Sequence, residues 1–238
     1  MKKIVLLLAA GLLLFSCCPQ ENPGLGNPNP FGTFTDSRDG KVYNIVTIGK
    51  QFWMAENLAY LPSVVDPGTG SYTEPYYSVY GYNGTDVAAA KATENYQTYG
   101  VLYNWPAAMT ACPEGWHLPS DAEWKQMEMA LGMSSDQLDL EGTRGSIEGG
   151  KMKETGITHW TTPNTGATNS SGFTALPGGA RGYNGTFDDV TGIGKWWSST
   201  QYSSITSAWT RELYHWSSKV FRMFYYMGSA FSVRCVRS

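Results

Sequence analysis

Positive charge is scarce and scattered: 17 lysines and arginines stand against 20 acidic residues, and nowhere do they form a run. A nucleic-acid binder needs a basic stripe to neutralise phosphates, so the sequence argues against nucleic acid as a partner. Long apolar runs are missing too. The longest, Ile4–Phe15 behind Lys2 and Lys3, falls short of the roughly 20 residues that a membrane-spanning helix needs. Catalytic signatures are equally thin, for the chain has no G-x-S-x-G, no H-E-x-x-H and no C-x-x-C. The run "GSIEGGKM" satisfies G-x-x-x-x-G-K, but Met152 stands where a phosphate-binding loop needs a Ser or Thr for magnesium. The histidines, His117, His159 and His215, are scattered and read as hydrogen-bonded turn or surface residues.

What is present begins with an address. A short basic segment, an apolar run and "LFSC" resemble a bacterial lipoprotein signal with its lipobox, which makes Cys17 the acylated residue. Residues 18–32 alternate Pro and Gly without an apolar period and read as an extended tether. The expected layout is therefore a signal over 1–17, a tether over 18–32 and one domain over 33–238. Such a chain is exported and held at the outer membrane or cell surface by its lipid anchor.

The domain has the composition of strands and ordered loops, with only 16% charged residues against 27 Gly, 15 Tyr and 9 Trp. Asp39-Gly40 and Gly49-Lys50 are turn dipeptides flanking Val42–Ile48 and preceding Gln51–Met54, which predicts a hairpin meander. "YTEPYYSVYGYNGTD" reads as an ordered tyrosine-rich loop, either a binding surface or a cover for the edge of the core. Two short helices are predicted, one around Pro106–Ala111 and one after Ser120. There Ser120 and Glu123 spell a capping box, and Trp124, Met127 and Leu131 recur at helical spacing. Glu141–Lys195 is glycine-rich and reads mainly as long ordered loop, and four aromatic-rich strand-like runs close the chain. In an exported protein, the domain cysteines Cys112 and Cys235 read as a disulfide. Closing so long a loop is worth about 5 kcal/mol by the chain-entropy model. Cys18 is left without a partner.

"DGKVYNIVTIGKQFWMAENL", "YGVLYNWPAAM", "CPEGWHLPSDAEW", "SSGFTALPGGARGYNGTF", "WWSST" and "SVRCVRS" together resemble the Fibrobacter succinogenes major paralogous domain. That resemblance implies an exported lipoprotein of the α+β class with a C-type lectin-like fold: twisted antiparallel sheets, two short helices and long ordered loops. It also implies the Cys112–Cys235 bridge. The sugar-binding triplets of calcium-dependent lectins are missing from the long loop, and a C-terminal pair of cysteines, as in the formylglycine-generating relatives, is reduced to Cys235.

The function expected is a non-enzymatic, surface-anchored binding or adhesion module, with a glycan, a fibre polymer or an envelope protein as partner. The alternatives are a structural subunit of a surface appendage and a formylglycine-generating-like enzyme. Candidate ligand-binding residues are Tyr76, Tyr77, Tyr80, Tyr82, Arg181, Tyr183, Trp196 and Trp197, since aromatic faces stack on sugar rings. Asp188 and Asp189 are candidate hard-oxygen ligands for calcium, against the simpler reading of a solvated acidic loop. No other cofactor is expected.

Overall fold

The computed structural model describes residues 31–203 and 205–237. The signal segment, the lipobox with Cys17, Cys18 and the tether up to residue 30 lie outside the described residues. The meander forms as the turn chemistry requires: β1 (Phe31–Thr35), β2 (Val42–Ile48) and β3 (Gln51–Met54) pair antiparallel, with Thr35 opposite Val42 and Ile48 opposite Gln51. Strand β1 opens two residues earlier than the tether boundary drawn from sequence, because Phe31 and Gly32 pair with Val46 and Ile45.

The tyrosine-rich loop contains the short strand β4 (Tyr77–Ser78). Then come α1 (Val87–Lys91), α2 (Glu94–Tyr99), β5 (Leu102–Asn104) and α3 (Trp105–Ala111). Helix α4 (Asp121–Ala130) carries the predicted capping box, in which the Ser120 hydroxyl accepts from the Glu123 backbone and the Glu123 carboxylate accepts from the Ser120 N–H. After β6 (Gly142–Arg144) and α5 (Glu148–Met152) runs a long irregular stretch, broken by β7 (Ala180–Arg181) and β8 (Phe187–Asp188). Strands β9 (Ile193–Gln201), β10 (Ser207–Tyr214), β11 (Val220–Tyr226), β12 (Ala230–Phe231) and β13 (Val236–Arg237) close the chain.

Five helices thus form among the described residues where two were predicted. The additional α1, α2 and α5 have five or six residues each, too few to display a helical period. Helix α5 lies inside "GSIEGGKM". A Cβ on Gly149 would lie 2.3 Å from the Lys219 carbonyl oxygen, and one on Gly150 would lie 2.2 Å from that of Gly166. Close backbone packing, rather than phosphate, accounts for that pair of glycines.

Among the described residues three sheets result, ordered β1-β2-β3-β13, β4-β5-β12-β7-β8 and β6-β11-β10-β9. Successive strand residues point to opposite faces, so the central strands feed two hydrophobic cores. One core takes Tyr43, Ile45, Met54 and Trp197; the other takes Val46, Ile48, Trp53 and Trp196.

Helix α4 meets the third sheet through charge as well as apolar contact. Glu128 accepts from Arg144 and Arg211 at 2.6 Å, while Asp121 accepts from Arg211 at 2.8 Å and from Arg222 at 2.9 Å. Burial alone would raise the Asp121 pKa, but Arg222, Arg211 and Lys125 outweigh it and hold the carboxyl well below its usual range.

Two of the other buried cations, Arg234 and Lys153, hydrogen-bond only to neutral groups. Arg234 donates to Asn57 Oδ1 at 2.9 Å and to the carbonyls of Met54, Phe173 and Thr174, which fastens the long loop to the C-terminal segment. Lys153 donates to the carbonyls of Thr165, Tyr214 and Ser217 at 2.9–3.0 Å, and burial pushes its pKa down to about 8. The unfolded chain, with lysine near its ordinary value of about 10.4, therefore holds more protons between those two values. Stability from this group should rise with pH across that window. Urea unfolding at pH 7.5 and 9.5 should show the wild type gaining about 1–2 kcal/mol over Lys153→Met; an unchanged difference between the two proteins would refute the assignment.

Candidate functional site

The third sheet is packed on both faces over most of its area, but one end of one face is uncovered. On that face Arg211 and Arg222 pair across β10 and β11 beneath Asp121, the first residue of α4. The next residues on the same face, Trp209 opposite Phe224 and then Ser207 opposite Tyr226, extend beyond that ion-paired contact. They meet rings supplied by loops. Tyr202 stacks on Phe224 with 3.7 Å between centroids and 3° between planes, and its edge meets Trp209 at 4.8 Å. Tyr226 is flanked edge-on by Tyr183 at 5.4 Å and Tyr72 at 6.4 Å. Although clustered, these rings stay wet: Tyr183 is 58% exposed, Tyr226 52%, Tyr72 45% and Phe224 40%. Beside them lies a depression of about 450 Å³ lined by Tyr202, Thr206, Ser207, Phe224, Tyr225 and Tyr226. An exposed ring cluster beside a depression makes this end of the sheet the candidate site.

The loops that bring Tyr72 and Tyr183 to the platform are held from below. The Arg181 guanidinium, itself buried, donates to the carbonyls of Asp66, Pro67 and Thr69. Burial lowers its pKa, with Asp66 acting in the opposite direction. Buried Asn104 caps α3 through Oδ1, which also accepts from the Tyr76 N–H at 2.8 Å, while its Nδ2 donates to the carbonyls of Ser71 and Glu74. At the tip of the β7–β8 hairpin, Gly185 has φ +87°, and a Cβ there would lie 2.0 Å from the Pro67 carbonyl oxygen. Only glycine lets the two loops approach so closely. On the opposite face of the sheet, Tyr214 and Tyr225 hydrogen-bond to buried Glu212. Burial and the Glu212 charge push both phenols far above their usual range.

Of the residues singled out from sequence, Tyr183 belongs to the platform. Arg181 lies beneath it and positions loops instead of offering its charge. Trp196 and Trp197 are fully buried in separate cores, because neighbours on a doubly covered strand point inward on opposite sides. Neither can stack on a ligand. Tyr76, Tyr77, Tyr80 and Tyr82 are half-buried. Tyr77 and Tyr82 pack against the first core, and Tyr80 covers Phe187 at 5.2 Å with its phenol pKa raised by burial. They seal an edge. Asp189 Oδ2 lies 2.9 Å from Lys195 Nζ, so that carboxylate already has a countercharge. Among the described residues no group of three or more His, Cys, Asp or Glu side chains is placed to hold a metal ion. These residues do not fit calcium.

The stretch around His117 is equally inert as a nucleophile site. Glu123 stands between the two partners, accepting from the Ser120 hydroxyl at 2.8 Å and meeting His117 Nε2 at 2.6 Å. A triad needs the histidine on the hydroxyl. Cys112, the remaining nucleophile nearby, is bonded to Cys235. His159 pairs with Glu154 at 2.8 Å.

Sequence reasoning missed Tyr202, Phe224 and Tyr226, and it marked the tyrosine-rich loop that begins at Tyr72 without singling that residue out. The available signal was "VFRMFYY", where aromatic residues occupy both faces of one strand. Rings on both faces require each face to be covered or to be used, and here α4 covers only part of one.

The class defined by this architecture is a disulfide-bonded, mixed α/β domain of mostly antiparallel sheets with a few short helices, and its surface carries a framed aromatic platform. Residues 46–237 match the family model of the Fibrobacter succinogenes major domain, and the chain belongs to that family. No curated protein and no solved structure matches the chain.

Proposed function

We propose that the protein is a lipid-anchored, surface-displayed binding module without enzymatic activity, built on a C-type lectin-like scaffold, and that it adheres through the platform around Tyr226. The observation that carries this reading is the exposed ring cluster, pre-ordered by Asn104, Arg181 and its own edge-on contacts. Rigid tyrosines give large contact area at little entropic cost, as they do in antibody binding loops. An enzyme of the formylglycine-generating type would need a free thiol, and both domain cysteines are in the bridge. The signal-like N-terminus and tether support display away from a lipid surface.

The test is retention of the fluorescently labelled full chain on isolated cell envelopes and on insoluble plant fibre. Retention on at least one surface, lowered about tenfold or more by a combined Phe224→Ala and Tyr226→Ala substitution, is expected. Retention indifferent to that substitution, or absent from both surfaces, would remove the proposal.

A further inference from the structure

We infer that the ligand of this platform is an uncharged polysaccharide, bound by ring stacking and hydroxyl hydrogen bonds without a metal ion; this rests on the platform being the binding surface. The first support is charge. All six residues lining the depression, Tyr202, Thr206, Ser207, Phe224, Tyr225 and Tyr226, are neutral. Two cations adjoin this lining, Lys195 at 5.1 Å over the Tyr225 ring and Arg222 at 3.4 Å over the Trp209 ring, and both are committed to carboxylates, Lys195 to Asp189 and Arg222 to Asp121. An acidic polymer would lose hydration against this lining and gain no countercharge.

The second support is chemical pattern. A neutral sugar chain offers flat C–H faces edged by hydroxyls, and the platform offers ring faces edged by the hydroxyls of Tyr72, Tyr183, Tyr202 and Tyr226 with Ser207 beside them. Each such ring is amphipathic, apolar over its body and polar at its tip. The third is extent. Tyr226 and Phe224 are two residues apart on one strand, hence separated by about 7 Å, and the Tyr72–Tyr226–Tyr183 group adjoins the Phe224–Tyr202 pair along the same edge. A line of adjoining rings suits an extended polymer better than a single small molecule. The lining itself offers no carboxylate to hold a metal ion.

Affinity electrophoresis of the full chain in gels containing hydroxyethylcellulose, xyloglucan, mannan, polygalacturonate or alginate tests this, with and without EDTA. At least one neutral polymer should retard the protein equally in both conditions. Tyr226→Ala should weaken that retardation about tenfold, and Tyr226→Phe, which keeps the ring, should retain most of it. Retardation by the acidic polymers alone, or its loss in EDTA, would overturn the inference. If no polymer retards the protein while Tyr226→Ala still weakens retention on envelopes, the polysaccharide assignment falls and the binding-module reading stands. If Tyr226→Ala changes neither, both fall.

Discussion

Replacing Glu128 with glutamine should lower the stability of the domain by about 3–5 kcal/mol, the usual cost of leaving buried charge without its partner. The carboxylate is fully buried and takes donors from two guanidiniums, Arg144 and Arg211, each also without exposure. Glutamine keeps the shape and removes the charge. Three arginines then share the single carboxylate of Asp121 inside the network. Urea denaturation should show a lower midpoint at an unchanged slope, since the surface exposed on unfolding hardly alters. A shift of less than about 1 kcal/mol would mean that solvent or relaxation compensates the pair. The same network sets the acid limit. The Asp121 carboxyl titrates lower in the folded than in the unfolded state. Its contribution is therefore complete above about pH 4 and is lost as pH falls toward the folded value.

Removing the Cys112–Cys235 bridge is the second large effect expected, a loss of about 2–5 kcal/mol. The cysteines are 123 residues apart in sequence with Cα atoms 5.8 Å apart, so the bond deletes a great deal of freedom from the unfolded chain. In the folded chain it ties the end of α3 to the segment leading into β13, which in turn pairs with β3. The covalent link thus ties the middle of the domain to its last strand, which strand pairing joins in turn to β3. Unfolding of the paired Cys112→Ala, Cys235→Ala variant, compared with wild type under oxidising conditions, measures the effect. Equal stability would show that the sheets alone hold the last strand in place.

Much of this frame was legible in the sequence because its determinants are local or few. Asp39-Gly40 and Gly49-Lys50 dictate the hairpins, Ser120 and Glu123 start α4, and two domain cysteines leave a single intramolecular pairing. The remainder depends on residues far apart. Glu128 and Arg211 are 83 positions apart, so nothing local marks their contact. Trp196 and Trp197 looked like ligand-stacking residues because a tryptophan pair is conspicuous, yet β9 is covered on both faces and buries each. The platform as a whole, of which sequence singled out only Tyr183, is hidden for the opposite reason: Tyr72, Tyr183, Tyr202 and Tyr226 come from four separate segments and meet only where β10 and β11 outrun α4. Tyrosine count marked the abundant ring type, and topology decided which rings stay outside.

Trp216 offers a matched comparison, since it is 52% exposed, as Tyr226 is, but sits just past the opposite end of β10 against Tyr214. The decisive measurement is the affinity of the full chain, of Tyr226→Ala and of Trp216→Ala for the neutral polysaccharide that retards the wild type. The platform account predicts a loss of about tenfold for Tyr226→Ala and wild-type affinity for Trp216→Ala. Equal affinities for all three, or a loss confined to Trp216→Ala, would contradict it.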